Sequence, residues 1–340
     1  DIKLYAKQKL KREHCGTRRK RWTWKGEQAE MRNIRIAGYG KYAPENTMEF
    51  HGECRYRANG SETQLDMAVK AAKRALASAK MQIEEMDCIV SASAVMMQPI
   101  PCNAALIHEQ LAKGSNIPAM DINSTCTSFV TALDTMSYLI DAGRYRNVLI
   151  VSSDIASEGL NDKQAESYEL FSDGAAAFVI SRTENEKQGV ADSIIRTYSE
   201  GAHSTEIRGG GTLHSAMKYR PEDRADYCFD MKGKSILSLS AKKLPELFRE
   251  FEAQSGISFA EVDMIVPHQA SKALPFIMDR LGIPAEKYVN RVSQYGNMVS
   301  ASIPYVLCAL LEEGRLKEGN RVLLCGTAAG LTCNLLLLQL

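Results

Sequence analysis

An internal repeat constrains the fold of this chain more than any other feature of its sequence. Residues 83–90 resemble residues 259–266, because in both segments an acidic turn leads into an apolar run typical of a buried strand. Residues 139–144 and 311–316 also match, since each closes an amphipathic helical pattern at a glycine shortly before another strand. Two copies of one unit predict α/β layers related by a pseudo-twofold axis.

Composition sets the limits of this repeated body. The chain has 340 residues, 45% of them hydrophobic, which is enough for two domains or one large duplicated domain. We expect an N-terminal half over residues 31–200, a C-terminal half over residues 201–340, and a basic extension over residues 1–30. The extension holds ten Lys and Arg against four Asp and Glu. It is interpreted either as a leader ahead of Met31 or as a basic arm that binds an acidic partner.

Charge and cysteine usage exclude several classes of function. The 42 Lys and Arg are balanced by 41 Asp and Glu, which argues against a nucleic-acid binder. No apolar stretch approaches the roughly 20 residues that cross a bilayer, so no membrane association is expected. The nine cysteines show neither a CxxC pair nor zinc-ligand spacing, which predicts free thiols in a cytoplasmic protein. Since no nucleotide or metal motif is present, no tightly bound cofactor is expected.

The spacing of the repeat singles out two positions. Cys126 lies 17 residues before Gly143, and Asn297 lies 17 residues before Gly314. Each stands just ahead of an amphipathic helical pattern. If the two positions are equivalent, both helix starts approach the pseudo-twofold axis, and we expect an active site there.

Three side chains near this axis could carry chemistry. Cys126 lies between an apolar run and a helical pattern, at an elbow where backbone N–H groups and the helix dipole are expected to lower the pKa of its thiol. His268 ends a buried strand, from which its ring could reach a site between the halves. Structural interpretations remain open for all three: Cys126 as a core cysteine, His268 as a structural histidine, and Asn297 as a turn residue.

Six motifs occur in order along the body of the chain. They are residues 38–46, 121–129, 171–177, 266–270, 296–297 with 301–304, and 326–332. Together they resemble the β-ketoacyl-acyl-carrier-protein synthase III family of the thiolase superfamily, although each motif alone is weak. The resemblance covers residues 31–340. It implies an α/β fold, the duplicated thiolase-like αβαβα five-layer sandwich, assembled as a homodimer.

The resemblance also implies a Cys-His-Asn triad at Cys126, His268 and Asn297. Cys126 would take an acyl group from acyl-coenzyme A or an acyl-carrier protein, while the other two stabilise the enolate formed when malonyl-carrier protein loses carbon dioxide. Attack of that carbanion on the acyl-cysteine would give a β-ketoacyl product, in fatty-acid or specialised acyl-chain biosynthesis. The other implied roles are an oxyanion hole from the backbone N–H groups of Cys126 and Ala329, an acyl pocket with Ile100, Phe171 and Thr327, and carrier docking at Lys272.

The sequence departs from the family pattern where the acyl donor would dock. Residues 45–57 are shortened and offer, in register, neither the tryptophan nor the arginine that hold the adenine of coenzyme A in the family. Ala165 and Ala273 stand at positions where arginine is usual. The donor therefore stays open between acyl-coenzyme A and an acyl-carrier protein.

Other functions fit part of the same pattern. An acyltransferase of this superfamily could use a different acceptor, and a non-catalytic partner subunit of a heteromeric synthase could keep the fold. Such subunits typically lose the nucleophile, whereas Cys126 persists here. Hydroxymethylglutaryl-type synthesis needs a glutamate base that residues 90–98 do not offer. A Cys/His hydrolase would need a carboxylate to orient His268, and none is evident beside it.

Overall fold

The computed structural model describes residues 31–340, so the predicted basic extension over residues 1–30 lies outside the described residues. The helices are α1 (Gln64–Ala79), α2 (Asn103–Leu111), α3 (Ser128–Asp141), α4 (Ala165–Tyr168), α5 (Gly233–Ser255), α6 (Leu274–Arg280), α7 (Val292–Tyr295) and α8 (Ser302–Glu312). The strands are β1 (Ile34–Tyr42), β2 (Thr47–Phe50), β3 (Glu53–Tyr56), β4 (Cys88–Ser91), β5 (Ala119–Asp121), β6 (Asn147–Asp154), β7 (Gly174–Arg182), β8 (Gly189–Thr197), β9 (Thr205–Glu206), β10 (Asp230–Met231), β11 (Met264–Pro267), β12 (Arg321–Ala328) and β13 (Thr332–Gln339).

Two sheets organise these elements. The first has the strand order β1-β7-β6-β4-β5, in which β4 is parallel to β5 and β6, and β7 is antiparallel to β1 and β6. The second has the order β11-β12-β13-β8, in which β11 and β12 are parallel and β13 is antiparallel to both of its neighbours. Separately, β2 pairs with β3 in a hairpin, and β9 pairs with β10.

The strands separate three cores, because successive side chains on a strand point to opposite faces. On β7, Phe178 enters a central core with α3 and α8, whereas Val179 packs on the other face with α1 and α2. On β13, Leu336 enters the same central core, whereas Leu335 packs against α5 and α6. The layers are therefore α1 and α2, the first sheet, α3 and α8, the second sheet, then α5 and α6. This order confirms the predicted αβαβα five-layer sandwich.

The central layer is unusually apolar. Every residue of α8 from Ser302 to Leu310 is buried. A helix that is buried on all sides needs partners in every direction, and α3 together with the two sheets supplies them. Within residues 31–340, no helix combines the length and the apolar character needed to cross a membrane.

One strand passes from the first part of the chain into the second sheet. β8 lies inside the half predicted over residues 31–200, yet it pairs with β13 along its whole length. Arg32, just before β1, exchanges two backbone hydrogen bonds with Val190 of β8, each 3.0 Å long. The second sheet is thus completed by a strand that precedes residue 200.

Candidate active site

Cys126 lies on a tight turn between β5 and α3. Thr125 has a left-handed backbone conformation with a φ of 55°, and its N–H donates to Asn123 Oδ1 at 2.8 Å. The N–H of Ser124 donates to Ser128 Oγ at 3.0 Å, where α3 begins. A positive φ is costly for a β-branched residue, and these hydrogen bonds hold it. The predicted strand-to-helix elbow is confirmed, with Cys126 directly after its strained residue.

The thiol of Cys126 differs from the sequence-based expectation. Burial raises its pKa to about 12, and the negative charge of Asp154 contributes to the rise. The backbone N–H groups of Ala329 and of Cys126 itself act in the opposite direction and lower the pKa, but by less. The expected lowering is therefore wrong, because the helix dipole is weaker than the loss of water around a thiolate. Cys126 as a whole residue is half-buried.

His268 follows β11 and is 4% exposed. Its backbone N–H donates to the carbonyl of Cys325 on β12 at 2.8 Å, which fixes it at the carboxyl ends of two parallel strands. Burial lowers the pKa of its imidazole to about 4, so the ring is neutral at pH 7. Within residues 31–340 its Nδ1 atom has no hydrogen-bond partner. A buried, neutral ring with a free nitrogen is suited to binding a polar group of a substrate.

Asn297 is also 4% exposed, and its amide is held in one orientation. Its Oδ1 accepts the N–H of Val299 at 2.9 Å and the hydroxyl of Ser302 at 3.4 Å. The oxygen is thereby occupied, and Nδ2 lies 3.4 Å from the carbonyl of Ala270. Since Ala270 is two residues after His268, the donating end of the Asn297 amide faces the histidine loop.

The three predicted catalytic side chains thus come from neighbouring segments. The N–H of Ala329, which directly follows β12, lowers the pKa of the Cys126 thiol. His268 is bonded to β12 from β11, and Asn297 reaches the loop that His268 begins. Carboxyl ends of parallel strands and the start of a helix therefore surround a common site, as in other α/β folds.

The observed geometry corrects the repeat register inferred from glycine spacing. The turn at Thr125 recurs at Val299, where φ is 54° and the N–H donates to Asn297 Oδ1 at 2.9 Å. The Nδ2 of Asn123 donates to the carbonyl of Ala94 at 2.9 Å, the same kind of bond that Asn297 makes after β11. By these bonds Asn297 is equivalent to Asn123.

Since Asn123 corresponds to Asn297, Ser300 is the counterpart of Cys126. The predicted equivalence of Cys126 and Asn297 is wrong because α3 spans 14 residues and α8 spans 11. Equal distances to the closing glycines therefore do not mark equal positions. The two functional residues are contributed by different positions of the repeated turn.

The residues expected to line the acyl pocket do not all lie at the site. Phe171 is buried, bridges the backbone of Asn297 and packs edge-on against Phe229 at a centroid distance of 4.8 Å. Thr327 pairs with Cys333 in the second sheet, two residues before Ala329. By contrast, Ile100 is 85% exposed on the described chain. The structure brings Phe171 to the site and leaves Ile100 on the surface.

The shortened segment between β1 and α1 forms the β2–β3 hairpin beside the site. Glu53 on β3 pairs with Lys272 at 3.1 Å and with Arg55 at 2.5 Å. Arg55 is fully buried and also donates to the carbonyls of Glu169 at 2.9 Å and Ser293 at 3.3 Å. The hairpin therefore joins the Lys272 loop to α7, which ends just before Asn297. Nothing in the spacing of a short polar segment identifies Arg55 as buried.

Asp154 is a second buried charged residue beside the site that the sequence reasoning missed. It ends β6, is 1% exposed, and accepts hydrogen bonds from Ser300 and from the loop after β4. The available signal is an acidic residue at the end of an apolar strand pattern, where few carboxylates occur without a role.

Two family models match the chain. The model described as 3-oxoacyl-[acyl-carrier-protein (ACP)] synthase III covers residues 120–199, and the model of its C-terminal part covers residues 253–340. The first match contains Cys126, and the second contains His268 and Asn297.

Curated relatives and a solved structure agree with these matches. The β-ketoacyl-[acyl-carrier-protein] synthase III of Clostridium perfringens is 32% identical over 329 residues, which cover 91% of this chain and 100% of the relative. That of Aquifex aeolicus is 32% identical over 279 residues, covering 82% of this chain and 84% of the relative. The crystal structure of 3-oxoacyl-[acyl-carrier-protein] synthase III from Aquifex aeolicus has a TM-score of 0.80 and 27% identity, with 90% of this chain and 100% of that chain covered. The chain therefore belongs to the β-ketoacyl-[acyl-carrier-protein] synthase III family, a family of condensing acyltransferases within the thiolase fold.

Proposed function

We propose that this protein catalyses a decarboxylating condensation through an acyl-Cys126 intermediate. The sulfur of Cys126 attacks the carbonyl carbon of an acyl thioester, the bond to the leaving sulfur breaks, and the thiol proton ends on the released carrier thiol. A malonyl-carrier thioester then loses carbon dioxide, and its carbanion attacks the acyl-cysteine. The new carbon–carbon bond forms as the carbon–sulfur bond to Cys126 breaks, and the Cys126 thiolate takes a proton from solvent water.

One observation carries this proposal: Cys126 lies on the elbow just before α3, and the backbone N–H groups of Cys126 and Ala329 both act to lower the pKa of its thiol. The carbonyl oxygen of an acyl group on that sulfur lies within reach of the same donors, which act as an oxyanion hole for the tetrahedral intermediate. Each donor of this kind typically lowers the activation barrier by about 3–4 kcal/mol.

His268 and Asn297 are proposed to stabilise the enolate formed on decarboxylation. His268 is neutral at pH 7 because burial lowers the pKa of its imidazole to about 4, and a neutral ring donates one N–H. The Oδ1 of Asn297 is occupied by Val299, so its Nδ2 supplies the second donor. Neutral donors favour the enolate without attracting the malonyl carboxylate strongly in the ground state. The proposed steps need no metal or redox cofactor, because electrons move only between carbon, oxygen and sulfur.

The carrier protein is proposed to dock on a basic groove between α5 and α6. The groove measures about 700 Å³, and Lys234, Lys242 and Arg280 line it together with the exposed ring of Phe276. A positive surface with an apolar centre is complementary to an acidic carrier helix. Lys272 is the docking residue expected from the sequence. It is proposed to attract an acidic carrier less strongly than the groove does, because its charge is already paired with Glu53.

A homodimer is proposed at the free edge of the first sheet. β5 is the last strand of that sheet, and the loop after β4 exposes Met96 and Ile100 at 55% and 85%. An edge strand beside exposed apolar side chains is a favourable surface for a second copy. In that assembly Ile100 would contribute to the partner's acyl pocket. We further propose a cytoplasmic location, because the eight described cysteines are free thiols.

The test is to measure acylation and condensation separately. The protein is incubated with acyl-coenzyme A and acyl-carrier donors, and the Cys126 peptide is examined for added acyl mass. Malonyl-carrier protein is then added and ketoacyl product is followed, with Cys126→Ala as the inactive control. Absence of any acyl mass on Cys126, or full condensation by Cys126→Ala, would contradict the proposal. Acylation followed by transfer to a different acceptor would identify an acyltransferase of another kind.

A further inference from the structure

Asp154 is a buried carboxylate with an unusual set of partners. It is 1% exposed. Its Oδ1 accepts the N–H groups of Ala94 at 3.1 Å and Val95 at 3.0 Å. Its Oδ2 accepts the N–H of Ser300 at 3.1 Å and the Ser300 hydroxyl at 2.5 Å. Its hydrogen bonds within residues 31–340 come from uncharged donors, so the carboxylate is solvated by dipoles rather than by a counter-ion.

These partners connect the Asp154 carboxylate to the Asn297 turn and to the Cys126 elbow. Ser300 is three residues after Asn297 and follows Val299, whose N–H holds the Asn297 amide oxygen. Ala94 accepts a hydrogen bond from Asn123 on the Cys126 elbow at 2.9 Å. Asp154 therefore links the Asn297 turn, the Cys126 elbow and the loop after β4 through one side chain.

The repeat explains how this arrangement arose from a symmetric fold. Ser300 is the counterpart of Cys126 in the second half, because the strained turn at Thr125 recurs at Val299. The position that carries the nucleophile in one half thus binds a carboxylate in the other. The charge of this carboxylate lies close enough to Cys126 to raise the pKa of its thiol.

We propose that Asp154 is a positioning residue of the condensing reaction, which fixes the Asn297 turn for the carbanion step, while its negative charge opposes thiolate formation at Cys126. The proposal rests on the condensing activity inferred above. It gives Asp154 two separable effects. The hydrogen bonds favour condensation, whereas the charge opposes thiolate formation. A low thiolate population protects the nucleophile from alkylation and oxidation between turnovers.

The two effects predict opposite changes in one variant. In Asp154→Asn the charge is lost, so iodoacetamide should alkylate Cys126 at least about threefold faster at pH 8. When the NH2 group of the new Asn faces Ser300, it cannot accept hydrogen bonds from the Ser300 N–H and hydroxyl. The rate of condensation should therefore fall by roughly tenfold or more. A purely structural role would not combine faster alkylation of Cys126 with slower condensation.

Ser300→Ala is the matched control, because it removes one hydrogen bond and keeps the charge. Its alkylation rate should not rise, while its condensation rate should fall by about threefold or more. Alkylation of Asp154→Asn no faster than the wild type, or condensation equal to the wild type, would overturn the proposal. If Asp154→Asn does not fold, a Ser300→Ala enzyme with wild-type condensation is sufficient to refute it. If Cys126 of the wild type is never acylated, the proposed function is refuted instead. The alkylation rates of the wild type and Asp154→Asn would still test the effect of the Asp154 charge on Cys126.

Discussion

Arg55 provides a strong test of how the shortened hairpin supports the site. The change is Arg55→Met, which keeps the length and apolar stem of the side chain and removes its guanidinium. In the native structure that group is fully buried and donates to the carbonyls of Cys54, Glu169 and Ser293 at 2.8, 2.9 and 3.3 Å. It also pairs with Glu53 at 2.5 Å.

The magnitude follows from the groups left without a partner. The three carbonyls are part-buried, and each that loses its donor costs at most about 1–3 kcal/mol. Three carbonyls give roughly 3–9 kcal/mol, and relief from burying the guanidinium charge offsets part of this cost. We therefore expect the free energy of unfolding to fall by about 4 kcal/mol. Because Gly296 packs its backbone on Arg55, the Asn297 turn should loosen as well.

The assay is urea unfolding followed by fluorescence, combined with condensation kinetics. With an m value of about 3 kcal/mol per molar urea, the midpoint should fall by about 1.3 M. Arg220→Met is the control, because Arg220 is 65% exposed and its pairs with Glu222 and Asp223 are solvated. That control should change the unfolding free energy by at most about 0.5 kcal/mol. A loss below about 1 kcal/mol in Arg55→Met would refute the reasoning.

The remaining predictions concern the site and its partner. Because burial raises the pKa of Cys126 to about 12, alkylation at pH 7 should be slow and should increase about tenfold per unit up to at least pH 10; a plateau near pH 8 would contradict this. Burial lowers the pKa of His268 from 6.5 to about 4, so the unfolded chain binds more protons between those values. Stability should therefore fall as the pH drops from 6.5 to 4, and urea unfolding of His268→Gln should show a smaller fall. Charge reversal at Lys242 and Arg280 should raise KM for a carrier-bound donor about tenfold, whereas an equal change in KM with a coenzyme A donor would argue against the groove.

The fold was predictable because the sequence contains it twice. Matching strand and helix-end patterns in the two halves indicated a duplicated α/β structure, and Phe178 and Leu336 occupy its shared central core. The register could not be obtained in the same way. Glycine spacing reports helix length, and α3 and α8 differ in length. Only the repeated hydrogen bonds at Asn123 and Asn297 reveal which positions are equivalent.

Electrostatic properties of the site were harder to predict. Local reasoning about a helix start gave the wrong direction for the Cys126 thiol, because desolvation and Asp154 depend on segments distant in the chain. Arg55 and Asp154 were missed for the same reason. A buried charge is identified by its tertiary partners, and a pattern of apolar and polar residues contains no record of them.

The passage of β8 into the second sheet has a consequence for how the chain folds. β8 pairs with β13 from Gly189 to Thr197, and Arg32 is bonded to the same strand. A fragment that ends near residue 200 would carry β8 without its partner, and the complementary fragment would lack the edge of its sheet. The two halves repeat one unit, and the first contains all five strands of its sheet, whereas the second takes its edge strand β8 from the first. The two halves should therefore unfold in a single cooperative transition, and a separately expressed second half should become structured only when the first is added.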